Sequence, residues 1–210
     1  MKRWFAMLLA AAITLSMAAC TADKPAETTP PTTTAATTEA TTEPTTAPEK
    51  LSTGVYGDTI ILGNLKFAIP EGLLTTVIDE QTIYLSTKDK KFVIGLFALD
   101  VSALDEEKTK MFIPIQHKSF VDEDDLADSD KLDGSVAGTD VKFDFYTDID
   151  ANHNVTINMA TTFTDSWYAY TIIMIHDAKS DDINNYTSTF VDFTFYAENI
   201  GEAPRFDFVQ

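Results

Sequence analysis

A single cysteine, Cys20, stands in 210 residues, which excludes an internal disulfide and any cysteine-rich metal site. Basic residues are scarce: 15 Lys and Arg face 33 Asp and Glu, for a net charge of −18. Phosphate binding needs clustered cations, so nucleic acid is excluded as a partner class. The usual catalytic signatures are missing too. No G-x-S-x-G, S-x-x-K, P-loop or H-E-x-x-H run occurs. His117, His153 and His176 are far apart in the chain and read as two surface histidines and one at a strand end. These absences lead to the expectation of no enzyme and no cofactor.

What is present begins with an address. Lys2 and Arg3 precede an uncharged run from Trp4 to Ala19, with small residues just before Cys20. That is the layout of a secretory signal peptide. As a helix the run would span about 24 Å, short of the roughly 30 Å hydrocarbon core, so a permanent span is disfavoured. Met17-Ala18-Ala19-Cys20 resembles the lipobox of bacterial lipoproteins, with Met17 where Leu is usual. The resemblance implies that Cys20 is lipidated and becomes the new N-terminus. Two acyl chains suffice to hold a protein stably on a membrane. The expected location is extracytoplasmic, anchored to the cell membrane by lipid, with residues 1–19 removed as the signal.

Residues 21–50 hold 12 Thr, 6 Ala, 5 Pro and 4 Glu, and no apolar side chain larger than Ala. Such a stretch buries too little to offset the entropy of ordering it. Residues 20–50 are therefore read as the lipidated cysteine and a disordered Thr/Pro-rich stalk, reaching about 90 Å at full extension and about 30 Å as a coil. Residues 51–210 form the globular domain, with 11 basic and 28 acidic side chains.

The domain's pattern is mostly strand. Thr59–Leu62 and Leu65–Ile69 flank Gly63-Asn64 as a hairpin, stopped by Pro70. Thr82–Ser86 and Phe92–Leu99 are joined by the charged turn Lys88–Lys91. Val141, Phe143 and Phe145 alternate with Lys142, Asp144 and Tyr146 as a half-buried strand, and Val155, Ile157, Met159 and Phe163 keep the period beyond a turn at Asp148–Asn154. Trp167–Ile175 is apolar on both faces and reads as a central strand with Trp167 buried in it. Two helices are expected. One starts near Ser102 with Asp105 three residues on and ends or kinks at Pro114; the other starts at Ser180-Asp181-Asp182 and presents Ile183, Tyr186 and Phe190 on one side. The class is α+β with a mainly antiparallel sheet.

With Phe67-Ala68-Ile69-Pro70-Glu71-Gly72, the aromatic strand Trp167-Tyr168-Ala169-Tyr170 and the closing Phe190-Val191-Asp192-Phe193, the domain resembles the PsbP-like group. That resemblance implies an α/β/α sandwich and roles in binding or assembly, generally without catalysis. It passes on no functional residue.

Two acidic stretches are candidates for a cation. Asp122–Asp133 packs seven acids and one Lys into twelve residues, with Asp122, Asp124 and Asp125 at its head. Asp148, Asp150 and Asn152 alternate as the oxygen ligands of a calcium loop do, yet His153 and Met159 occupy the positions where such a loop carries Gly and Glu. The plainer readings are a solvated loop for the first and a polar hairpin turn for the second. Three functions stay open: a lipid-anchored, non-catalytic binding or assembly module, a calcium-dependent module, and a carboxylate-based hydrolase. The expected partners are the membrane, through lipidated Cys20, and an unidentified envelope component or protein.

Overall fold

A computed structural model describes residues 52–179, 183–203 and 205–206. All belong to the unit Lys50–Gln210. The signal peptide, Cys20, the stalk and the Ser180–Asp182 helix start lie outside the described residues.

Two antiparallel sheets carry the fold. In the smaller, β1 (Gly54–Tyr56), β2 (Thr59–Leu62), β3 (Leu65–Ala68) and β11 (Glu198–Asn199) lie in that order. In the larger, the order is β4 (Leu74–Asp79), β5 (Thr82–Ser86), β6 (Phe92–Asp100), β10 (Tyr168–Asp177), β9 (Val155–Thr164), β8 (Thr139–Ile149) and β7 (Asp130–Val136). The expected strands are all present, and β10 is central as its two-faced apolar run requires, pairing with β6 and β9. The class is α+β.

Strand alternation divides the larger sheet into two faces. One face carries Leu96 of β6, Ile172 of β10, Met159 of β9 and Phe143 of β8. It meets the smaller sheet and α3 (Ile183–Phe195) across the main core. Phe67 stacks on Phe193 at 4.8 Å and Phe92 on Tyr186 at 4.7 Å, so α3 buries its aromatic side as the spacing predicts. The opposite face meets α1 (Glu106–Lys118) and α2 (Glu123–Ala127) around a small cluster of Val121, Ala160 and Ile173.

The hairpin at Gly63-Asn64 ties the sheets together. Gly63 has φ 58°, and a Cβ there would lie 2.9 Å from the Tyr170 hydroxyl, so both conformation and space demand glycine. Beside it, buried Asp165 accepts from Asn64 Nδ2 at 2.7 Å and from the Tyr170 hydroxyl at 2.9 Å.

Several expectations are corrected. The N-cap of α1 is Asp105, whose carboxylate accepts from Lys108 N at 2.9 Å, while Ser102 N donates to Asp100 in the loop before it. Pro114 does not end α1. Gln116 and His117, beyond it, are hydrogen-bonded to the sheet and hold the last turn in place. The Asp122–Asp133 stretch is no loop. It forms α2, a third helix, and the start of β7, because three acids suit a first helical turn and Leu126 packs into the small cluster. Trp167 precedes β10 and is half-buried. Its Nε1 donates to Ala203 O at 3.3 Å, and the Arg205 guanidinium covers its ring at 4.7 Å.

Candidate functional site

At the β7 end of the larger sheet, α3 does not close fully over the strands. Thr187, Phe190, Val191, Thr194 and Phe195, spaced three and four apart, point into a gap floored by β7, β8 and β9. Phe190 is fully buried and meets Phe143 edge-on, with centroids 5.6 Å apart. Phe145 and Met159 continue the floor, and Leu132 forms the outer lip. Gly134 makes the space possible: a Cβ there would lie 2.6 Å from the Phe143 ring. The result is a cavity of about 250 Å³ with an apolar lining. Its rim is exposed, with Leu132 at 41%, Val191 at 49% and Phe195 at 58%. Ligand sites are usually of this kind, concave and apolar with few polar groups.

The opposite face holds a buried polar network. Asp144, at 7% side-chain exposure, accepts from Ser129 Oγ at 2.6 Å, from Lys131 Nζ and from His117 Nε2 at 2.9 Å. His117 Nδ1 lies 2.9 Å from Thr162 Oγ1, which lies 2.9 Å from Thr171 Oγ1, and Gln116 Nε2 donates to that oxygen at 3.0 Å. One proton arrangement satisfies the relay: Gln116 to Thr171, Thr171 to Thr162, Thr162 to Nδ1, and Nε2–H to Asp144. It needs a neutral imidazole. Burial first, and the Lys131 ammonium second, hold the His117 pKa below its ordinary value. Thr162, His117 and Asp144 thus share the order of a hydroxyl–imidazole–carboxylate triad, but α1 lies across them and Thr162 is also bonded to Thr171. The arrangement seats α1 on the sheet. His117 is accordingly not the surface residue expected, whereas His153 is exposed in the β8–β9 turn and His176 is buried near the end of β10.

The acidic candidates fall on two elements. Asp122 stands at the N-cap position of α2 without a side-chain capping bond, and Asp124 and Asp125 lie in its first turn. Asp148 is the last residue but one of β8, and Asp150 organises the following turn, accepting from Asn152 N at 2.7 Å and from Asn154 N and Nδ2 at 2.9 Å each. Those bonds lower the Asp150 pKa. The stretches approach each other near Tyr146, whose pKa is raised by burial, then by Asp125, Asp148 and Asp122. Among the described residues no three His, Cys, Asp or Glu side chains are grouped to hold a metal. Sequence reasoning missed Asp144, Gln116 and Thr109, whose polarity reads as exposure, and it missed the groove, which forms only where α3 and β7 meet.

No protein-family model matches the chain, and no curated protein matches it. Among solved structures, the crystal structure of a protein from Bacteroides thetaiotaomicron is similar at 9% identity, with a TM-score of 0.44, over 66% of this chain. The match spans 46% of that protein, less than half its length. The solution structure of cyanobacterial PsbP (CyanoP) from Synechocystis is similar at 9% identity, with a TM-score of 0.43, over 65% of this chain and 86% of its own. Neither likeness carries a residue role to this chain. No described helix is long and apolar enough to cross a membrane.

Proposed function

We propose that the chain is a surface lipoprotein, held on the membrane through Cys20 and displayed on the stalk of residues 21–50, whose domain is a non-catalytic binding module. The observation that carries the binding function is the half-open apolar groove between α3 and β7, because a concave apolar lining open to solvent along Leu132, Val191 and Phe195 is the usual form of a ligand site, which a convex exposed face is not. The lipobox-like Met17–Cys20 supports the anchor, and the Thr/Pro composition supports the stalk.

Two experiments test the two halves. Cells fed labelled palmitate should incorporate it into the chain, and Cys20→Ala should abolish the label and release the protein from membranes; a labelled Cys20→Ala chain contradicts the anchor. Nile red, a neutral apolar dye, should bind the purified chain with a blue-shifted emission that Val191→Asp removes. Emission that is the same with and without the substitution contradicts the groove as a binding site.

A further inference from the structure

We infer that the groove's ligand is an extended polypeptide, apolar at alternate residues and basic between them, that adds as an eighth strand to the free edge of β7. The inference rests on the proposed groove function and names its ligand class.

Hydrogen bonding directs attention to β7. Its hairpin with β8 closes through Ala137 and Gly138, with φ 51° and 78°, so Val136 and Thr139 form a hydrogen-bonded pair. Alternation from that pair turns the N–H and C=O of Lys131, Asp133 and Ser135 away from β8. Among the described residues no strand pairs with that side of β7. The sheet's other edge is treated differently: β4 carries a register shift between Val77 and Asp79, an irregularity that hinders further pairing. β7 runs regularly through seven consecutive pairs.

The groove lies along the same edge. Leu132 and Gly134 face α3, opposite Phe143 and Val141, while Asp133 and Ser135 share the other face with Lys142 and Asp140. Yet Asp133 and Ser135 still border the cavity, so the cavity reaches the backbone of the edge. A strand laid about 4.8 Å outside β7 would place every second side chain beneath Val191 and Phe195. Those side chains meet an apolar lining.

Charge decides the rest. Lys131 and Lys142, the cations of this corner, are committed to Asp144 and Asp133. Asp128, Asp130, Asp140 and Asp192 are exposed and make no ion pair among the described residues. The domain as a whole carries 28 acidic against 11 basic side chains. A basic strand is attracted to this rim and an acidic one repelled.

The probe is an eight-residue peptide alternating lysine with valine, leucine or phenylalanine, titrated into the isotope-labelled full chain, with a glutamate-for-lysine counterpart as control. The lysine peptide should slow amide exchange at Lys131, Asp133 and Ser135 by tenfold or more, and bind at least tenfold more tightly than its counterpart. Ser135→Pro removes an outward donor without touching the β8 ladder and should cut binding about tenfold. If that variant folds poorly, a peptide N-methylated at alternate residues removes the complementary donors instead. Unchanged exchange at the three amides, equal binding of both peptides, or tight binding of the N-methylated peptide overturns the inference. Groove-dependent Nile red binding alongside a failed peptide defeats the strand addition alone; failure of both defeats the groove function as well.

Discussion

The two faces of the larger sheet come from the same alternating strands, yet they seat their helices by different means. Toward α3 the contacts are aromatic and aliphatic, with Phe67, Phe92, Phe143 and Phe190 buried among side chains from both sheets. Toward α1 the helix is held by Gln116 and His117 bonded to Ala169, Thr171, Thr162 and Asp144, and its buried residues are Thr109 and Gln116. Apolar contact is non-directional, so α3 gains stability from area and tolerates a gap at one end. Hydrogen bonds are directional, and a buried donor left without a partner costs about 1–3 kcal/mol, so α1 has one acceptable seat. Two of its apolar residues then point outward, Met111 at 64% and Ile115 at 61% exposure, while Phe112 and Ile113 are half-buried. Area gives the first helix adhesion; geometry gives the second its place.

The largest effect should come from the apolar side. Phe190→Ala removes a fully buried ring from the main core and should cost about 4 kcal/mol in urea unfolding, where a loss under 1 kcal/mol would show that α3 adds little. Next comes the polar side. Asp144→Ala leaves His117 Nε2–H without its acceptor and should cost about 2–3 kcal/mol, limited because Ser129 Oγ can still donate to Leu126 O and half-exposed Lys131 can return to water. No measurable loss would mean that the network is not what fixes α1.

A smaller effect follows from pH. Because the folded His117 pKa is depressed, the unfolded chain takes up the proton first as pH falls below about 6.5, and stability drops from there toward the folded value. Between pH 7.5 and 5.5 the wild type should lose up to about 1 kcal/mol more than His117→Gln does. Equal losses would show that the imidazole is not held neutral. The smallest effect belongs to the outward face of α1: Met111→Ser and Ile115→Ser should each change stability by less than about 0.5 kcal/mol in the same assay. A larger cost would reveal an apolar role there that the exposure contradicts.

The apolar face was legible because hydrophobic period reports burial directly. Val141 and Phe143 are buried, and β10 lies mid-sheet, as their patterns predict. The polar face was not legible for the same reason. Asp144 alternates with Lys142 and reads as solvent-facing, since nothing in β8 indicates that α1 brings His117 onto it. α2 offers a single apolar anchor, Leu126, among acids, too little periodicity to mark a helix. Pro114 reads as a stop because the bonds that carry α1 past it come from residues about 45 to 55 positions away. The groove depends on Gly134, Phe143 and Val191, which meet only after three separate elements have packed.

The α3 side is proposed to carry the binding site, and the outward face of α1 to carry none. A photo-crosslinking residue placed in turn at Val191 and at Met111, both exposed, tests this on intact cells carrying the full chain. The predicted result is a discrete adduct from Val191 that is lost on Ser135→Pro, with none from Met111. An adduct from Met111 and none from Val191 would contradict it.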